Sequence, residues 1–168
     1  MISGGGTGGH VYPALAVVDA LTADGEPLTA IQWIGGEGGI EKDLVTRAGL
    51  PLETIPAGGL HGMSPLTVIR NLTRLARGFA RALQIVSNWR PDVLFITGGF
   101  VGVPVALACW LKRVPILVFL PDIEPGWAIK FLSVFATRIA VTAEASRRFL
   151  PARKMVVTGY PLRPDPAA

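Results

Sequence analysis

The chain has 168 residues, 50% of them hydrophobic and only 17% charged, with a mean hydropathy of +0.46. That length suits one well-buried domain and excludes two ordinary ones. A single cysteine, Cys109, excludes an intramolecular disulfide and a cysteine-built zinc cluster, which points to a reducing compartment. No basic-then-apolar signal segment opens the sequence. A formal charge of +4 and a pI near 9.7 favour an anionic partner, whether phosphate, lipid headgroup or nucleic acid.

In chain order, Met1-Ile2-Ser3 leaves very little first strand, where about five residues are usual, and reads as a clipped start. Ser3-Gly4-Gly5-Gly6-Thr7-Gly8-Gly9-His10-Val11-Tyr12-Pro13 follows, with five glycines and a threonine ahead of an apolar helix pattern. Such a loop lets backbone N–H groups approach a large anion, and the helix adds the positive end of its dipole. An ordinary turn needs far fewer glycines, so this stretch reads as a ligand loop. Gly4-x-Gly6-x-x-Gly9 also satisfies the dinucleotide fingerprint GxGxxG, a pattern weak enough to arise by chance in such a loop.

Pro13 suits a first helical turn, and the helix is expected over Ala14 to Asp24, ended by Gly25. Leu28 to Ile34 reads as a strand closed by Gly35-Gly36-Glu37-Gly38-Gly39, Ile40 to Ala48 as a short helix, and Leu52 to Ile55 as a strand. Pro56 to Ser64, with His61, is a loop, and Pro65 opens the longest helix, to about Asn88. Val93 to Leu111 carries no charge, but Thr97-Gly98-Gly99, Gly102 and Pro104 break it into strand, turn and helix, with the strand over Val93 to Ile96 and the helix over Val101 to Leu111, and argue against a membrane span. Pro115 to Leu120 is a strand, Gly126 to Ala136 a helix, Ile139 to Val141 and Met155 to Val157 strands around a helix at Glu144 to Phe149. The proline-rich tail from Gly159 reads as a linker. Alternating strands and helices at this spacing give an α/β fold, a doubly wound Rossmann-like parallel sheet over 1–158, with ligands bound at the carboxyl ends of its strands.

Several groups carry candidate chemistry. His10 stands at the start of the first helix, whose dipole disfavours imidazolium and suits the ring to a general base for a sugar hydroxyl; the plainer alternative is a histidine that bonds the loop backbone. Gly98-Gly99-Phe100 forms a second glycine turn, so two helix N-termini would face one cleft and an extended diphosphate could use both. Arg70, Arg74, Arg77 and Arg81 form one helical stripe, and Leu66 to Pro91 holds five arginines and no acid. With Trp89, Trp110 and Lys112-Arg113 elsewhere, this favours an anionic membrane surface over a merely solvated face. Two tyrosines and no recognisable motif speak against nucleic acid. Asp122 and Glu124, with Glu37, are the carboxylates expected near the cleft, able to bond sugar hydroxyls, orient His10 or cap a helix. Two separated histidines without matching carboxylates predict no metal site.

Gly-Gly-Thr-Gly-Gly-His followed by aromatic-Pro-Ala-Leu-Ala, the Gly98-Gly99-Phe100-Val101 turn, Gly126 with Lys130, and Gly159-Tyr160-Pro161-Leu162-Arg163 closely resemble the MurG family. Those are inverting, metal-independent GT-B enzymes of glycosyltransferase family 28, which add N-acetylglucosamine to a lipid-linked muramyl-peptide in peptidoglycan synthesis. The resemblance implies the amino-terminal half of such an enzyme, from Ser3 to about Asp165. That half receives the lipid acceptor (lipid I) and docks on the cytoplasmic face of the membrane, with 159–168 starting the linker to an absent donor domain. It implies UDP-N-acetylglucosamine as co-substrate and no cofactor. Thr7, Gly8 and Gly9 would touch the sugar-nucleotide or acceptor diphosphate, and Arg163 would contribute to the donor site. His10 would be the base, and the arginine helix would be membrane-facing. Two departures from the family pattern stand out: Phe100 stands where tyrosine is usual, and Phe119-Leu120-Pro121-Asp122 replaces a His-Glu-Gln-Asn loop. Two other readings compete. One is an NAD(P)-binding oxidoreductase domain, with Glu37 as its ribose acid. The other is a non-catalytic membrane-docking subunit of a split glycosyltransferase.

Overall fold

The computed structural model describes the backbone of residues 1–58 and 65–162 and the side chains of 1–58 and 71–162. His61, Arg163 and the side chain of Arg70 lie outside the described residues. Seven parallel strands make one sheet: β1 (Ile2–Gly4), β2 (Trp33–Gly36), β3 (Leu52–Ile55), β4 (Leu94–Gly98), β5 (Ile116–Leu120), β6 (Arg138–Val141) and β7 (Met155–Val157). Their order is β3-β2-β1-β4-β5-β6-β7, so the winding reverses between β1 and β4. The helices are α1 (Gly8–Ala23), α2 (Glu41–Arg47), α3 (Pro65–Trp89), α4 (Gly102–Leu111) and α5 (Trp127–Phe135). The Rossmann-like α/β expectation is met.

Strand alternation sends neighbouring side chains into two separate cores. Trp33 packs with Ile2, Val11, Leu15, Val18 and Val45, the α1–α2 side. Ile34, next in sequence, packs with Ile96, Val105, Val118, Ile85 and Leu132, the α3–α4–α5 side. Short β1 is held despite its three residues because it is central, paired to β2 on one side and β4 on the other. The buried Trp33 indole adds a hydrogen bond from Nε1 to the Gly4 carbonyl at 3.1 Å, anchoring the point where β1 gives way to the glycine loop. Lys154 Nζ donates to the Ser133 and Val134 carbonyls at 3.0 and 2.8 Å, a cation at the carboxyl end of α5. Such a placement contributes about 0.3–1 kcal/mol.

Most boundaries fall within two residues of the sequence expectation, and three elements differ more. Helix α1 starts at Gly8, not Ala14, so the glycine loop is itself the helix start and Pro13 lies inside the helix. Proline lacks the N–H that would bond to the Gly9 carbonyl, a cost accepted within the second turn. The second strand begins at Trp33, because Pro27 leads Leu28–Ala30 into a 3-10 turn first. Glu144–Arg148 is also a 3-10 turn, where an α-helix was expected.

Candidate active site

The reversal of winding leaves a crevice at the carboxyl ends of β1 and β4, and both glycine turns sit on it. They approach closely enough that side chains are excluded between them. A Cβ on Gly99, where φ is +83°, would lie 2.6 Å from the Gly5 carbonyl oxygen, closer than real side chains approach. A Cβ on Gly98, φ +133°, would lie 2.5 and 2.6 Å from Cδ2 and Nε2 of His10. The second turn is therefore glycine because the first turn and the His10 ring occupy the space. His10, Gly98, Gly99 and the Thr7–Gly9 helix start are brought together as expected of one cleft.

His10 is half-buried in the first turn of α1. Its Nδ1 lies 3.1 Å from the Gly5 carbonyl oxygen and 3.2 Å from Thr7 Oγ1. A carbonyl only accepts, so the Gly5 contact is a hydrogen bond when Nδ1 carries the proton, the tautomer in which Nε2 keeps its lone pair. Thr7 is the extended N-cap of α1, yet its hydroxyl makes no cap bond to the backbone and faces the ring instead. In that tautomer Nε2 can accept a proton beside the amino ends of α1 and α4.

Asp122 is exposed in the loop after β5, and among the described residues no hydrogen bond or ion pair joins it to His10. Backbone and Thr7 orient the ring. Glu124 instead pairs with Lys130 of α5 at 3.7 Å. Phe100 is 39% exposed at the rim of a pocket of about 170 Å³ lined by Gly5, Gly6, Gly36, Gly39 and Glu41. A larger cavity, about 530 Å³, lies on the α1 face among Ile2, Val17, Phe95, Leu117 and Phe119. Its walls are mostly apolar, with Glu26 and Thr158 as the polar side chains, and it shares no residue with the His10 cleft. Among the described residues no group of three or more His, Cys, Asp or Glu could hold a metal ion.

Sequence reasoning missed Glu41. Its side chain is 1% exposed, and its two oxygens accept N–H bonds from Gly36 at 2.7 Å and Gly6 at 3.1 Å. Side chains on Gly5, Gly35 or Gly39 would collide with it. The available signal was the run Gly35-Gly36-Glu37-Gly38-Gly39, whose glycine excess demands that something approach closely. The same residue weakens the dinucleotide reading, because the Gly6 amide that a pyrophosphate would need is already bonded. Glu37, the other group that reading needs, stands 3.9 Å from Arg74.

The arginine stripe has acidic neighbours supplied by the sheet edge. Arg74 faces Glu37, and Arg81 pairs with Glu53 at 2.9 Å. These are half-exposed pairs worth about 0–1 kcal/mol each, so they matter for local charge more than for stability. Arg77 is exposed with no acidic partner among the described residues.

Comparison with known proteins decides the family. Residues 1–141 match the glycosyltransferase family 28 N-terminal domain. The chain belongs to glycosyltransferase family 28. It is 42% identical over 166 residues to the UDP-N-acetylglucosamine–N-acetylmuramyl-(pentapeptide) pyrophosphoryl-undecaprenol N-acetylglucosamine transferase of Moorella thermoacetica, covering 98% of this chain and 44% of that protein. A relative of the same name from Pelobacter propionicus is 36% identical over 163 residues, 97% of this chain and 43% of that protein. The chain thus spans a little under half the length of these family 28 relatives. Its fold is that of half of Acinetobacter baumannii MurG, with TM-score 0.79, 24% identity, and coverage of 100% of this chain and 46% of that one. The same fold recurs in the UDP-GlcNAc 2-epimerase of Neisseria meningitidis, TM-score 0.67 at 12% identity, over 95% of this chain and 46% of that one.

Proposed function

We propose that this chain is the acceptor-binding half of an inverting hexosyltransferase that moves N-acetylglucosamine from UDP-N-acetylglucosamine to a lipid-diphosphate-linked sugar, the lipid I of peptidoglycan synthesis. The names of its relatives describe that transfer for them. The observation that carries the reading is His10, with Nδ1 turned to the Gly5 carbonyl and Nε2 left as a base beside two helix N-termini. In the reaction the acceptor hydroxyl gives its proton to Nε2 as its oxygen attacks the anomeric carbon of the donor. The bond from that carbon to the diphosphate breaks, UDP leaves with the electron pair, and the configuration inverts. Amides at Thr7, Gly8, Gly9, Gly98 and Gly99 would face diphosphate charge, and Phe100 and Asp122 would border the acceptor. The donor is held mainly by a carboxyl-terminal half that follows the linker at 159–168, with Arg163 reaching its site. No metal or cofactor enters this scheme.

A ligand titration on the purified chain tests it. A short-chain lipid-diphosphate sugar at a hundred times its dissociation constant should raise stability by about 2.7 kcal/mol, with a weaker effect from UDP-N-acetylglucosamine. Stabilisation by NAD alone would overturn the reading.

The proposed location is the cytoplasmic face of the cell membrane, as a peripheral protein. No helix among the described residues is long and apolar enough to cross a bilayer. Support for surface binding comes from the helical layer. Trp127 is 73% and Val134 68% exposed on α5, Trp110 and Leu111 are exposed at the end of α4, and Phe131, Phe135 and Trp110 are linked by ring contacts of 5.2 and 5.4 Å. Lys112, Arg113 and Lys130 are exposed on the same elements or directly after them. Aromatic groups flanked by cations suit an anionic interface. Trp127→Glu with Phe131→Glu should weaken binding to anionic vesicles several-fold in a sedimentation assay. Arg77→Glu should weaken it more than Arg74→Glu or Arg81→Glu, whose arginines already face Glu37 and Glu53. Unchanged sedimentation of the Trp127 and Phe131 double variant would remove this surface from the proposal.

A further inference from the structure

We infer that Glu41 is a positioning residue for His10, acting through the Gly5–Gly6 peptide to keep Nε2 of the imidazole unprotonated; the inference rests on His10 being the base of the proposed transfer.

Among the described residues Glu41 is the only charged side chain that is buried. One of its oxygens is tied to the Gly36 amide at the end of β2, and it fills space that side chains on Gly5, Gly35 or Gly39 would otherwise take. The other oxygen, Oε2, accepts the Gly6 N–H at 3.1 Å. That N–H belongs to the same peptide unit as the Gly5 carbonyl, which faces Nδ1 of His10 at 3.1 Å. Among the described residues no peptide bond is cis, so the Gly5 carbonyl and the Gly6 N–H point in opposite directions, one to His10 and one to Glu41.

Consider the same peptide rotated by half a turn. Its carbonyl would meet the carboxylate, two buried acceptors with no proton between them, which is costly. Its N–H would meet Nδ1 and favour the tautomer protonated at Nε2, leaving no base where the acceptor hydroxyl must arrive. A peptide between two glycines, the second at φ +85°, is where such a rotation is easiest. Because a carboxylate can only accept, Glu41 forbids it. The residue thus reaches His10 without touching it, from a different helix and across one peptide plane.

Glu41→Gln is the decisive variant, since it keeps the shape and supplies an NH₂ able to donate to a rotated Gly5 carbonyl. The first measurement is the pair of imidazole nitrogen chemical shifts of His10 in the purified chain, at a pH where the ring is neutral. Wild type should show the proton on Nδ1, and Glu41→Gln should raise the Nε2-protonated population several-fold. Wild type with its proton on Nε2, or a folded variant with unchanged shifts, overturns the inference. Should Glu41→Gln not fold, wild type still decides through hydrogen-bond couplings from the Gly6 nitrogen to the Glu41 carboxyl carbon and from His10 Nδ1 to the Gly5 carbonyl carbon. Both present support the relay; either one absent overturns it. In an enzyme carrying both halves, Glu41→Gln should lower kcat roughly 10–100-fold, the range that outer partners of metal-bound histidines carry, with KM for the acceptor unchanged. A rise in KM with kcat intact would mean that Glu41 shapes binding and does not position the base. The nitrogen shifts read the relay independently of catalysis, so a relay that holds while His10→Ala still turns over would sink the base assignment alone.

Discussion

Replacing His10 by alanine in an enzyme that carries both halves is expected to lower kcat by roughly 10²–10⁴-fold, the usual contribution of a general base. Affinity for the lipid-diphosphate acceptor should change little, because the amides at the starts of α1 and α4 are backbone groups that the substitution leaves in place. Stability should change little as well, since the ring is only half-buried and its polar contacts are to Thr7 and to the Gly5 carbonyl. Steady-state transfer assays with the acceptor varied separate the two effects. Retained turnover would show that another group, or water alone, takes the hydroxyl proton. The chain would then be closer to a docking module than to a catalytic half.

Gly98→Ala is expected to damage both fold and site. At φ +133° an alanine backbone is strained by about 1–3 kcal/mol, and the added methyl would lie 2.5 Å from Cδ2 of His10. The chain can answer by moving the turn, which strains β4 at its carboxyl end, or by expelling the ring, which breaks the Nδ1 contact to Gly5. Urea unfolding should report the first and sugar transfer the second. Gly9→Ala is the matched control. It lies in α1 with its nearest new neighbour, Thr7 Oγ1, at 3.8 Å, so stability should hold or rise by up to about 1 kcal/mol. Equal effects from both substitutions would show that the Gly98 contact to His10 is not the reason for that glycine.

Much of this was legible in the residues themselves. Apolar strands alternating with helical patterns fixed the class of fold, because a segment such as Leu94–Gly98 that is apolar along most of its length has to be covered on both faces. Glycine excess marked both turns of the cleft, and the histidine at the first helix start was identifiable from its place beside them. Helix α1 was read too short because glycine and proline are poor helix formers. Their propensity was overridden by burial of Val11, Ala14 and Leu15 against the sheet.

Other features depended on distances that no local pattern carries. Glu41 sits in the first turn of a short helix, where an acid is ordinary and reads as a partner of the helix dipole. Only the β2-β1-β4 order brings it under the Gly5–Gly6 peptide and so behind His10. The arginine stripe shows the same limit from the other side. No acid lies near it in sequence, yet Glu37 and Glu53 reach Arg74 and Arg81 because α3 runs beside β3. The sequence determined which faces are buried and where the backbone can come close to a ligand, since both follow from side-chain size and polarity alone. The tertiary structure decided which charges meet and which nitrogen of His10 faces the Gly5 carbonyl, because hydrogen bonds and ion pairs act over a few ångströms between residues that sheet order, and not chain order, makes neighbours.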